Sequence, residues 1–319
     1  MSYELLIQNG SMLYSPAVVG DIVWSTDRKG SPGQLTFDVL KSGALNFTEG
    51  NPVRLKKDGK EIFYGFIFTK KRDKKGLISV TAYDQLRYFK NKDTYVYTNK
   101  TATEFLKTIA NDFRLQIGDV EDTRYKIPSR VEDNTTLFDM MENALGLTLE
   151  NTNQIFILYD DFGKITLKNI KSMKLDLLID EETGENFDYT SSIDSDTYNK
   201  VKLVRDNEES GKREVYMAQH SENMNKWGVL QYFDTLQEKE NGKVKAEGLL
   251  ALYKNKRRKL AIKNAFGDPR VRAGSLIPVI LSLGDIKANN YMLVEKCKHT
   301  FSLDKHVMDL TLRGGEFIE

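Results

Sequence analysis

The chain has one cysteine, Cys297, in 319 residues. No intramolecular disulfide can staple it, which is compatible with synthesis in a reducing cytoplasm. It has no excess of either charge: 47 Lys plus Arg face 46 Asp plus Glu, which argues against a protein whose main partner is a polyanion. It has no apolar run approaching the roughly 20 residues of a membrane span. Residues 1–10 carry no basic stretch leading into an apolar one, so a soluble chain without a secretory signal peptide is expected. Histidine occurs three times, and no Walker loop, GxGxxG, GxSxG or HExxH is present. The usual footholds of catalysis are missing, so the chain is expected not to be an enzyme and to carry no cofactor.

What is present suits a folded, β-rich protein. Hydrophobic residues make up 40% of the chain, with 15 Tyr and 16 Phe, enough to build real cores, and the length suggests two or three folded units. Over the first ninety residues, 18–24, 34–40, 52–56, 62–69 and 77–83 are rich in β-branched and aromatic types. Turn chemistry separates them, Asp58-Gly59 being the strongest hairpin signal. This pattern predicts a small antiparallel barrel over 1–90.

The period then changes. Thr101 with Glu104 three residues on forms a capping-box pattern, and Phe105, Leu106, Ile109 and Phe113 follow at helical spacing. A second helix is predicted over 135–147, and a hairpin over 155–167. Residues 91–190 therefore read as an inserted α/β module. Strands return from Tyr198 onward, interrupted by a helix predicted over 241–259, so 191–319 reads as a second barrel with an inserted helix. The expected class is α+β, two small antiparallel β-barrels bracketing the module.

The two ends echo each other. Gly50, Pro52-Val53-Arg54-Leu55, a turn, Tyr64-Gly65-Phe66-Ile67-Phe68, a charged turn and 77–81 are matched by Gly274, Pro278-Val279-Ile280-Leu281, a turn, Tyr291-Met292-Leu293-Val294, a charged turn and 307–311. If one chain carries two similar units, three chains can close a ring of six.

Several segments carry a resemblance: Ala82-Tyr83-Asp84-Gln85-Leu86 with Asn91-Lys92-Asp93, Thr101-Ala102-Thr103-Glu104, residues 194–201, and Trp227-Gly228-Val229-Leu230-Gln231. In this order and spacing the chain resembles the XkdQ-type baseplate hub proteins of contractile phages and phage-tail-like bacteriocins. More distantly it is similar to late control gene D proteins and the hub part of VgrG. The resemblance implies a virion structural protein: a homotrimer, sixfold-like toward the tail tube protein and threefold toward a spike or tip protein. Other baseplate proteins and the tape measure protein would lie nearby. The chain ends directly after its last strand pair, so a separate spike is implied rather than a fused one. The particle would be extracellular after lysis.

For such a hub the chemistry is that of interfaces. Trp24 and Trp227 are the candidate protein-interface anchors, since aromatic side chains dominate contact hot spots; each is equally compatible with a core position. Cys297 and His299 share a strand face with His306 nearby, but two ligands do not make a metal site. Asp160 and Asp161, like Asp194 and Asp196, lack an EF-hand's ligand spacing and read as turn residues. The basic runs 70–75 and 254–259 read as solvated surface rather than as a specific nucleic-acid site, the second placed at a helix end. The competing functions are a tail-associated peptidoglycan hydrolase and a DNA-binding tail component.

Overall fold

The computed structural model describes residues 3–194, 196–207, 211–236, 240–282 and 287–314. The first strands are β1 (Tyr3–Asn9), β2 (Met12–Tyr14), β3 (Val18–Asp27), β4 (Gln34–Leu40), β5 (Pro52–Lys57), β6 (Lys60–Arg72) and β7 (Leu77–Tyr83). They pair antiparallel in the order β2–β1–β5–β6–β7–β4–β3. Alternation decides the inner face: Leu35, Phe37 and Val39 of β4 and Ile78, Val80 and Ala82 of β7 turn into one core with Ile22 and Trp24.

The middle of the chain supplies β8 (Lys92–Lys100), α1 (Ala102–Asp112), β9 (Ile117–Val120), β10 (Ile127–Thr136), α2 (Leu137–Thr152), β11 (Phe156–Asp160) and β12 (Ile165–Asn169). Thr101 and Glu104 form the expected capping box at α1. The apolar faces of α1 and α2 share a core with Tyr97 of β8 and Leu167 of β12. After β13 (Asn186–Ser192) come β14 (Lys200–Asn207), β15 (Lys212–Gln219), α3 (Ser221–Trp227), β16 (Gln231–Thr235) and α4 (Gly242–Tyr253). β15, β14 and β16 form a small sheet under α4, with Val201, Leu203, Ala246 and Leu249 buried between them.

The last strands are β17 (Arg257–Phe266), β18 (Leu276–Ser282), β19 (Lys287–Phe301) and β20 (His306–Gly314). With β13 they pair in the order β13–β17–β20–β19–β18. This repeats β3–β4–β7–β6–β5 strand for strand. The repeat extends to single hydrogen bonds. Gly50 N–H donates to Ile67 O (2.7 Å) and Ile67 N–H to Asn51 O (3.0 Å); Gly274 N–H donates to Val294 O (2.8 Å) and Val294 N–H to Ser275 O (2.9 Å). Both glycines have positive φ, +84° and +96°, where a Cβ is strained. A β-bulge follows Ile67 and another follows Val294.

Three sequence expectations change. First, the ladder does not close into two barrels. β3 pairs on one side with β4 and on the other with β19, from Lys296↔Asp27 to Phe301↔Ile22. A strand has only two edges, and the second edge of β3 is spent joining the two units into one open sheet ending at β2 and β13. Second, the helix expected over 241–259 ends at Tyr253; Arg257, Arg258 and Lys259 belong to β17 and pair with β13. Cross-strand pairing outweighs the modest helix preference of Lys and Arg. Third, in the internal echo Gly50 aligns with Gly274, which places Pro52 against Leu276 rather than Pro278, while Tyr64 and Tyr291 align as expected.

Candidate assembly site

The joint between the two units is built around Trp24. Its ring stacks on His299 (centroids 5.0 Å apart) and lies 5.7 Å from the Arg272 guanidinium. It is 3% exposed, so it anchors the chain's own two units to each other and presents little to another molecule. Arg28 makes a two-pronged ion pair with Glu295 (2.7 and 3.1 Å), and Arg313 approaches the same carboxylate at 3.2 Å. Thr26 Oγ1 accepts the Ala273 N–H at 2.9 Å.

Beneath Trp24 runs a buried polar relay. Lys57 Nζ is 2.7 Å from His306 Nδ1, His306 Nε2 is 2.8 Å from His299 Nδ1, and His299 Nε2 is 2.8 Å from the Val271 carbonyl. A lysine ammonium only donates and a carbonyl only accepts, so both ends fix the direction. Each imidazole is neutral with its proton on Nε2. Burial pushes His299 down to about 4. Burial, then the neighbouring His299 and Lys57, push His306 down to about 3.

The motif segments turn out to be joints as well. Asp84 Oδ2 accepts the Gly33 N–H (2.8 Å) and its Oδ1 the Leu86 N–H (3.0 Å), tying β7 to the β3–β4 loop. The Gln85 amide donates to the Gly163 carbonyl and accepts the Gln116 N–H at 2.9 Å, so one side chain crosses to the β11–β12 turn and to the approach to β9. Asn199, fully buried, donates to Gly228 O (2.8 Å) and accepts the Leu230 N–H (2.9 Å). Two of the quoted segments, far apart in sequence, are thereby locked together.

Comparison with known proteins agrees with this architecture. The YQBQ-like family matches residues 22–313. The chain belongs to that family. It is 32% identical over 296 residues to the uncharacterized protein YqbQ of Bacillus subtilis, covering 88% of this chain and 87% of that protein. It is also 32% identical over 283 residues to protein XkdQ of the phage-like element PBSX of the same species, covering 85% of each. The 43 kDa tail protein of prophage MuSo2 from Shewanella oneidensis shares the fold, with a TM-score of 0.73 at 12% identity over 99% of this chain and 100% of that one. The relatives thus include a protein of a phage-like element, and a prophage tail protein shares the fold.

The remaining candidates of this YQBQ-like chain fall as follows. Cys297 and His299 do share a face, with Sγ 3.1 Å from Nε2, but the imidazole nitrogens are engaged by His306 and Val271. Among the described residues no cluster of three His, Cys, Asp or Glu is arranged to hold a metal. Asp160 caps the Gly163 N–H at 2.6 Å, and burial raises its carboxyl to about 6. Burial, and then Asp160, push Asp84 well above the usual carboxylate range. Asp194 and Asp196 flank Ser195, which lies outside the described residues. The Lys70–Arg72 part of the first basic run sits on the end of β6, and the second run spans the turn into β17. Trp227, half-buried, ends α3 beside exposed Val229. Among the described residues no helix is long and apolar enough to cross a membrane.

Sequence reasoning missed Arg272, which holds the Asp160 carbonyl at 2.6 Å while lying over Trp24 and Tyr159. It also missed β13. Arg272 carries no motif, and Asn186–Ser192 lacks the apolar alternation of a half-buried strand.

Proposed function

We propose that this chain is the hub of a contractile-tail baseplate, three copies closing a ring that joins the tail tube to a spike. The observation that carries the proposal is the repeated five-strand unit. It gives three chains six similar β units around one axis. Where the units agree, the ring matches a sixfold tube. Where they differ, at the α1–α2 module and the β14–β16 lobe, the ring is threefold and suits a spike.

The proposed division of labour follows the repeat: the five-strand units of 1–90 and 191–319 face the tube, and the 91–190 module with the β14–β16 lobe faces the spike. The tube and spike proteins are the axial partners, with other baseplate proteins around the rim and the tape measure protein on the axis. Trp227, beside exposed Val229 and near the start of β16, is the proposed anchor for a neighbour in the baseplate. Assembly takes place in the bacterial cytoplasm and the finished particle is released by lysis.

The mass of the purified chain in solution tests the ring. Light scattering is expected to give three times the 36.6 kDa of one chain. A mass that stays at one chain across a wide concentration range overturns the ring. Mutation-sensitive cleavage of cell walls by the pure protein would replace a structural role with a hydrolytic one.

A further inference from the structure

The repeat leaves two strand edges without the partners that their counterparts have. In the second unit, the end of β19 pairs with β3 of the first unit, Lys296↔Asp27 to Phe301↔Ile22. The first unit's equivalent of β19 is β6: Val294 matches Ile67, each followed by its bulge, so Lys296 matches Thr69 and His299 matches Arg72. Among the described residues no strand pairs with that side of β6 at Thr69–Arg72, because β5 ends its pairing at Phe66. Likewise β13 matches β3: Tyr189 faces Leu260 as Trp24 faces Leu35. Yet β3 has a partner on both sides, whereas among the described residues β13 pairs only with β17.

We infer that β13 of one copy adds to the free edge of β6 in the next, repeating between chains the joint that β3 and β19 make within one. This rests on the ring proposed above and names its strand-level contact. Superposing the internal joint fixes the register: Thr69 opposite Ser192, Lys70 opposite Ser191, Lys71 opposite Thr190 and Arg72 opposite Tyr189.

Chemistry at the two edges is complementary. The β6 edge and its turn carry Lys70, Lys71, Arg72, Lys74 and Lys75; β13 is preceded by Asp180, Glu181, Glu182 and Glu185 and contains Asp188. Asp188 falls opposite Asp73, a like pair that opposes pairing, and Lys71 and Lys75 at its diagonals, close enough for long side chains to reach, offset it. Lysines on an open edge deter pairing with a like strand, and the acidic approach to β13 makes that deterrent selective. Individual contacts of the internal joint also have counterparts. The stack of Trp24 on His299 becomes Tyr189 on the Arg72 guanidinium. The Thr26 hydroxyl that accepts the Ala273 N–H becomes the Ser191 hydroxyl facing the Glu49 N–H. Phe187, 40% exposed on β13, gains cover.

The test is a pair of cysteines. Lys71→Cys with Thr190→Cys in the full chain is expected to give, on mild oxidation, a disulfide-linked trimer. Lys298→Cys with Ser25→Cys, the matching pair of the internal joint, is the positive control and closes within one chain. Lys71→Cys with Asp188→Cys, two residues out of register, is expected to stay unlinked. Reversing Lys70, Lys71 and Arg72 to Glu should weaken association by roughly tenfold or more, and reversing Glu181, Glu182 and Glu185 to Lys in the same chain should restore it. A trimer by mass that does not link at Lys71–Thr190 while the control pair closes overturns this contact and leaves the ring. A chain that stays monomeric overturns both.

Discussion

At the residue scale, the unit-to-unit joint depends on neutral imidazoles. His299 is fully buried and His306 is 4% exposed, and both titrate below the ordinary value of 6.5. An unfolded chain binds these protons more readily than the folded one. The stabilisation is therefore fully present above pH 6.5 and is lost as pH falls from there through about 4 and about 3. Urea unfolding of the wild type should show stability declining over that window. His299→Leu strands the His306 Nε2–H and the Val271 carbonyl, which costs about 1–3 kcal/mol at neutral pH and flattens part of the slope. An unchanged slope in the variant would remove the relay from the account. The histidines were visible in the sequence, but their relay was not, because Lys57 is 249 positions from His306.

At the element scale, local signals and tertiary pairing divide the work. Thr101 and Glu104 announce α1 through a capping box made within four residues, and the structure forms it. Thr101→Ala should cost about 1 kcal/mol in chemical denaturation. The paired glycines separate backbone strain from crowding. A Cβ on Gly50 meets nothing within 4 Å, whereas one on Gly274 runs into Ile157. Both positions have positive φ, so each alanine substitution costs roughly 1–2 kcal/mol in strain, and Gly274→Ala should be the more destabilising in the same measurement. Equal losses would show that Ile157 moves aside without penalty. The basic run at 257–259 marks the limit of local reasoning: its composition tolerates a helix, and only the partners β13 and β20 make it a strand.

At the scale of the whole molecule, one hydrogen-bonded ladder runs from β2 to β13 through the β3–β19 joint. Strands in one ladder share their stability, so β3 and β19 should open together. Hydrogen exchange should give their amides the same opening free energy, with the β14–β16 lobe, which has its own core under α4, free to open separately. Distinct opening energies for β3 and β19 would make the units independent bodies. The sequence by itself determined the β-rich character, the capped helix, most of the strands and the order of the repeat, because alternation, turn residues and caps act over a few neighbouring positions. Only the tertiary structure decided that β3 crosses to β19, that Trp24 turns inward to the joint, and that β13 and the end of β6 each keep an edge unpaired among the described residues. Those outcomes depend on which strand edges are left to pair once the chain has folded back on itself, and an edge's partner lies hundreds of residues away.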